Sequence, residues 1–212
     1  MKDLREMTVA ELAAVTASDA PAPGGGSISA LAGALSAALA GMVATLSQGP
    51  KFEEVREEMS AIAEKAAAIR VQLLQDMQED TAAFSLYMDA LSMPKHTEEE
   101  KAARREAMQN GLKAAALTPL KVAETIVGVF PMVEAVISRG NANAVTDALV
   151  ASMMARSGIL GALFNVKVNL ASIKDEAFVS EIENRLKTLE QAALAGEQRV
   201  FALSTFAANV GK

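Results

Sequence analysis

The chain has no cysteine, no tryptophan and a single histidine, His96. Without thiols there are no disulfides and no thiolate metal sites, and one imidazole is too few for a histidine metal cluster, so no metal is expected. Aromatic residues make up only 4% of the chain although hydrophobic residues make up 51%. A hydrophobic complement drawn from Ala, Leu and Met favours helices over strands. Such small side chains bury little area each, which points to further burial across a subunit interface. Positive charge is also short. The net charge of −6 excludes nucleic acid or an anionic membrane surface as the main partner. No secretory or transit segment is visible, so the cytoplasm is the expected compartment.

Charge is missing altogether from residues 20–50, and the chain is organised around this stretch. Pro21-Ala22-Pro23-Gly24-Gly25-Gly26-Ser27 pairs fixed φ angles with permissive ones, which makes a loop. Ser27 is expected to cap the helix that follows. Ser29, Gly33, Ala37, Gly41 and Thr45 recur every fourth residue, giving that helix one nearly flat side. Another helix, or a second copy of the chain, can approach such a side closely. Leu31, Leu35, Leu39, Met42 and Leu46 add bulk on the other faces, so the helix is expected to be buried nearly all round. Its length suits a bilayer span. Its Ala, Gly and Ser content, without flanking basic or aromatic belts, argues instead for a buried core helix and no membrane. A phosphate loop is a poor match, because no Gly-Lys-Ser/Thr follows.

Elsewhere the helical signals are plain. Thr8-Val9-Ala10-Glu11 reads as a capping box for a short helix ending near Ser18. Gln48-Gly49-Pro50 ends the small-residue helix. From Phe52 to about Leu91 runs a stripe of Phe52, Val55, Met59, Ile62, Ala66, Ile69, Leu73, Met77, Phe84, Tyr87 and Leu91. Asp80 falls on that stripe, where an acid must be paired or hydrogen-bonded, and it is the first candidate for chemistry. Thr97 and Glu100 form a second capping box. Thr118-Pro119 reads as a fresh N-cap with Pro in the first turn, and Pro131 as a kink in a helix that stops at Gly140.

After Gly140-Asn141-Ala142-Asn143, either Asn143 or Thr146 can cap a helix running to about Ser172. Asp147 lies in its first turn, where the helix dipole favours an acid for structural reasons alone. Asn165 and Asn169 share a face one turn apart, roughly 27 Å beyond Asp147 at helical rise. No one site on a straight helix holds all three, although an adjoining subunit can bring Asp147 to another chain's residues. Asp175 opens a last amphipathic helix. With no strand, repeat or linker in view, residues 1–212 read as a single all-α bundle of long antiparallel helices, with the Ala/Gly-rich helix buried and the whole dimeric.

The chain resembles the formiminotetrahydrofolate cyclodeaminase / methenyltetrahydrofolate cyclohydrolase family. The resemblance is carried by the proline–glycine loop with its Ala-rich helix, by Asp80-Thr81-Ala82-Ala83-Phe84 with Pro94-Lys95, and by the segment from Glu99 to Arg104. It continues through Gly140-Asn141-Ala142-Asn143-Ala144-Val145-Thr146-Asp147-Ala148 and Asn165-Val166-Lys167-Val168-Asn169-Leu170, in order over almost the whole chain. It implies an all-helical homodimer with a pocket for a tetrahydrofolate derivative and no cofactor. Gly49-Pro50-Lys51-Phe52 departs from the usual lysine run ending in Tyr, Thr146 stands where Ser is usual, and Lys167 where Arg is common.

Both family reactions need a base and an acid at a one-carbon centre. Asp80 and Asp147 are the catalytic candidates. The amides of Gly24, Gly25 and Gly26 with Ser27 offer donors to the substrate. Asn141, Asn165 and Asn169 suit the pterin edge, Asn143 is a further substrate-binding candidate, and Lys51, Lys95 and Lys167 suit the glutamate carboxylates. The cyclodeaminase reaction is the first expectation and the cyclohydrolase reaction the second. A non-catalytic helical dimerisation module is the competing class, and it has no reason to keep an acid on a buried stripe.

Overall fold

The computed structural model describes residues 3–207, without the Phe84 side chain, and contains no strand among them. Seven α-helices carry the architecture: α1 (Val9–Thr16), α2 (Gly25–Leu46), α3 (Arg56–Ser92), α4 (Glu98–Val127), α5 (Phe130–Arg139), α6 (Val145–Leu170) and α7 (Glu176–Ala202). Both capping boxes form, at Thr8/Glu11 and Thr97/Glu100, and Asp175 caps α7 by accepting from the Phe178 N–H.

Helix α2 runs antiparallel to both of its main neighbours. Gly26, Gly33 and Gly41 meet Asp80, Leu73 and Ala66 of α3, while Gly25, Ser29 and Ser36 meet Asn165, Gly161 and Ala151 of α6. Antiparallel α4 closes the group against α3 and α6. Its side chains and the neighbouring buried residues form one apolar cluster built on alanines, with Leu73, Met77, Leu120, Ile126, Phe130 and Ile159 supplying bulk. Helices α2 and α6 are each long and apolar enough to cross a membrane by length and composition, and here they pack on one another at the centre of the bundle.

The flat side of α2 is used within the chain. A Cβ at Gly33 would collide with Ile126 and crowd Leu73, and one at Gly158 would meet the Ser29 carbonyl at 2.9 Å. Ser36 completes this close approach by donating to the Ala151 carbonyl at 2.6 Å. The opposite side corrects the expectation of burial all round. Leu35, Met42 and Leu46 are 46%, 39% and 50% exposed, and α6 adds Val150, Met153, Phe164 and Val168 as exposed apolar residues.

Several expected boundaries move, each for a local reason. Pro119 does not start a helix, because α4 passes straight through it. The ring removes the N–H that would have bonded the Ala115 carbonyl, and Asn169 Nδ2 donates to that carbonyl instead, at 3.0 Å. Pro131 lies in the first turn of α5, so the break falls at Gly128–Val129 and the helix is not kinked. Asn141, rather than Asn143 or Thr146, supplies the turn before α6, accepting from the Asn143 N–H at 3.0 Å.

Candidate active site

The first turn of α2 has no side-chain cap of its own. Helix α2 begins at Gly25, so Ser27 is the third residue of its first turn rather than its N-cap, and does not accept from the backbone as expected. Its hydroxyl donates to Asp80 Oδ2 at 2.9 Å, and its backbone N–H is also directed to that carboxyl. An acid from α3 therefore does the capping of α2, where the helix dipole also favours it. Gly26 is required for this arrangement. A Cβ there would overlap the Asp80 carboxyl on all its atoms.

Asp80 lines a cavity of about 220 Å³ together with Pro21, Ala22, Gly24, Gly25, Gly26, Ala115, Asn165, Val168 and Asn169. The Ala22–Pro23 peptide, which leads into the glycines, is cis. Asp80 is the one titratable group in this wall, and no cation pairs with it among the described residues. Burial pushes its pKa above the ordinary carboxylate range, against the lowering effect of the two Ser27 hydrogen bonds. The result is an acid that exchanges its proton more readily at moderate pH than a solvated aspartate does.

The two asparagines are held by backbone. Asn165 Nδ2 donates to the Gly161 carbonyl at 2.9 Å, and Asn169 Nδ2 donates to both Ala115 and Asn165 carbonyls. Those contacts fix which end of each amide is nitrogen. Both N–H bonds of Asn169 are thereby used, which leaves its side chain an acceptor for a ligand's donor.

Of the residues singled out in the sequence, Gly24, Gly25, Gly26, Ser27, Asp80, Asn165 and Asn169 converge here. The others do not reach this cavity within one chain. Asn141 donates from its backbone N–H to Ser47 at 2.8 Å, at the C-terminal end of α2. Asn143, Asp147 and Lys51 lie at that same far end. Lys95 is in the exposed loop between α3 and α4. Lys167 faces away, bound to Glu190 at 3.3 Å and stacked over the Phe164 ring. Ala115 and Val168 carry no polar atom in their side chains, so no motif marked them as walls.

Asp76 was also passed over. It lies one turn before Asp80 and is completely buried. Its Oδ1 accepts from Lys121 Nζ at 2.8 Å and Gln72 Nε2 at 2.9 Å, while Oδ2 has no partner.

An all-α bundle that presents one uncompensated carboxyl and amide acceptors in a half-open cavity offers a small-molecule site suited to acid–base chemistry. The formiminotransferase-cyclodeaminase family model matches residues 8–188, and the chain belongs to that family of enzymes. It is 38% identical over 186 residues to methenyltetrahydrofolate cyclohydrolase of Methylorubrum extorquens, covering 87% of this chain and 89% of that one. It is 36% identical to mouse formimidoyltransferase-cyclodeaminase across 81% of its own length, and spans 32% of the mouse protein. The crystal structure of formiminotetrahydrofolate cyclodeaminase from Thermotoga maritima superposes with a TM-score of 0.84 at 29% identity, covering 94% of this chain and 96% of that one.

Proposed function

We propose that this chain is a folate one-carbon enzyme that closes 5-formiminotetrahydrofolate to 5,10-methenyltetrahydrofolate and releases ammonia. The observation that carries the reading is Asp80, a partly buried carboxyl without a cation and with a raised pKa, in the wall of a cavity otherwise lined by glycine backbone, asparagine and small apolar residues. N10 attacks the carbon of the protonated formimino group (–CH=NH2+) and forms the new C–N bond, and its proton passes to the Asp80 carboxylate. The C–N bond to the formimino nitrogen then breaks, and that nitrogen leaves as ammonia carrying the transferred proton. The methenyl product is a cation, which the remaining carboxylate stabilises. A catalytically silent dimerisation module gains nothing from a desolvated acid without a counter-charge, which costs stability.

Hydrolytic opening of 5,10-methenyltetrahydrofolate is the second reading. It is favoured by similarity along nearly the full length of the Methylorubrum cyclohydrolase. It uses the same groups in another order, with Asp80 taking a proton from water and returning it to the leaving ring nitrogen. Absorbance assays with the two folates offered separately test both readings. Turnover of the formimino compound supports the first, turnover of the methenyl compound alone replaces it with the second, and turnover of neither removes both.

A homodimer belongs to the proposal, formed through the exposed apolar residues of α2 and α6. A two-fold axis perpendicular to these helices reverses their direction between the copies, and so sets the α2 C-terminal end of one copy beside the Asp80 cavity of the other. That is where Asp147, Asn141, Asn143 and Lys51 enter, with Asp147 as the second carboxylate.

A further inference from the structure

At about 220 Å³, the Asp80 cavity is smaller than the roughly 300–1,000 Å³ of pockets that enclose a drug-sized ligand. It accommodates the reacting head of a folate and leaves the p-aminobenzoyl-glutamate arm outside. A second cavity, of about 580 Å³, opens farther along the same helices. Its walls continue those of the first. On α3, Asp80 leads to Tyr87; on α4, Ala115 leads to Leu112 and Gln109; Asn165 and Asn169 of α6 lead to Ser172 in the turn just past its end. Each step stays on one helical face, and Ala115 to Gln109 advances about 9 Å. Gln109 secures the far wall, donating to the Ser172 carbonyl at 3.1 Å and accepting from the Lys174 N–H at 2.8 Å.

The charge of this cavity is uneven. Arg105 and Lys174 line it, with Glu106 as its one carboxylate. Neither cation has an ion-pair partner among the described residues, whereas neighbouring Lys113 is bound to Asp175 at 2.7 Å. The other large cavity, between α6 and α7, is balanced: Lys167 and Lys187 against Glu183 and Glu190. Lys167, Leu170 and Ala171 also place it on a different face of α6 from Asn165 and Asn169.

We infer that the cavity at Tyr87, Arg105 and Lys174 is the subsite for the p-aminobenzoyl-glutamate arm. The inference rests on the folate reading above. Tyr87 and Leu112 offer flat and aliphatic surface to the benzoyl ring, and Arg105 and Lys174 meet the glutamate carboxylates, Arg105 with a two-pronged donor set. The carboxylate-binding role thus passes from Lys51 and Lys167 to these two residues. Lys95, in the loop beyond Arg105, is placed for additional glutamates.

Titration calorimetry with 5-formyltetrahydrofolate, as monoglutamate and triglutamate, tests this on wild type and on Arg105→Glu/Lys174→Glu. Both side chains are exposed, so melting temperature should hold. Losing two charge-assisted contacts should weaken monoglutamate binding by about tenfold or more and abolish any triglutamate preference. Arg105→Gln/Lys174→Gln should fall between. Equal affinities in wild type and both variants would overturn the subsite while leaving the reaction intact. Charge-dependent binding without turnover of either substrate would retain the subsite and remove the reaction. A wild type that binds neither folate would overturn both.

Discussion

The two ends of helix α2 are chemically alike in sequence and unlike in structure. Each end has a glycine-containing loop, an aspartate and asparagines nearby. At the N-terminal end, Asp80 comes from another helix, is half-buried against Gly26, and accepts from Ser27. At the C-terminal end, Asp147 lies half-buried in the first turn of its own helix, and Asn141 is occupied with Ser47 and the Leu46 carbonyl. The first arrangement raises an acid's pKa and gives it a cavity. The second satisfies a helix start. We read Asp80 as the proton-transfer group because it is desolvated against a cavity with no cation beside it, whereas Asp147 lies in the first turn of its own helix, where the dipole favours an acid.

The most severe way to break the comparison is to neutralise each acid in turn. Asp80→Asn should lower turnover by at least about 10²-fold, the lower end of a general acid–base contribution, with folate binding affected far less. If the two ends act together across a dimer, Asp147→Asn should also lower turnover, and mixing the two inactive variants should restore part of it. Assays of the mixed proteins decide this. No recovery, with Asp147→Asn fully active, would leave Asp147 a helix-start acid only.

Smaller changes sharpen the contrast. Gly26→Ala places a methyl group where the Asp80 carboxyl lies, and the displaced acid should cost about tenfold or more in kcat, as misplacement by about 1 Å can. Gly33→Leu acts on packing alone, because Ile126 and Leu73 fill that space. Overpacking of roughly 1–3 kcal/mol should lower the melting temperature. An unchanged thermal transition would contradict the close crossing of α2 with α3, α4 and α6.

Much of this was legible in the sequence, because it depends on local chemistry. The two capping boxes, the stripe from Met59 to Met77 and the Asp175 cap are local signals, and each one formed, although α3 begins at Arg56 and Phe52 and Val55 lie in the turn before it. The proline–glycine loop and Asp80 stood out for the same reason. What stayed hidden depends on partners distant in sequence. Pro119 looked like a helix start because nothing nearby announces that Asn169 will bond the orphaned Ala115 carbonyl. The flat side of α2 could equally have served a second copy, and only the fold shows it turned toward Ile126, Leu73 and Gly158. Asp76 escaped notice because its partner, Lys121, is 45 residues away.

The smallest expected effect concerns stability. Asp80's folded-state pKa is raised, so the stabilisation linked to its proton is present in full below the ordinary carboxylate value and is lost as pH rises through the raised one. Asp80→Asn escapes that loss. Its melting temperature should gain on that of wild type as pH increases through this window, and parallel curves would contradict the raised pKa.

The most direct test of Asp80 as the proton-transfer group is the pH dependence of kcat/KM in wild type and Asp80→Asn, measured on whichever folate the protein turns over. Acting as a base, Asp80 must be ionised, so wild-type activity should fall on acidification with a midpoint above the ordinary aspartate value of about 3.9. In the variant that limb should vanish along with most of the activity. Near-wild-type turnover with the same acid limb in Asp80→Asn would place the proton transfer on another group.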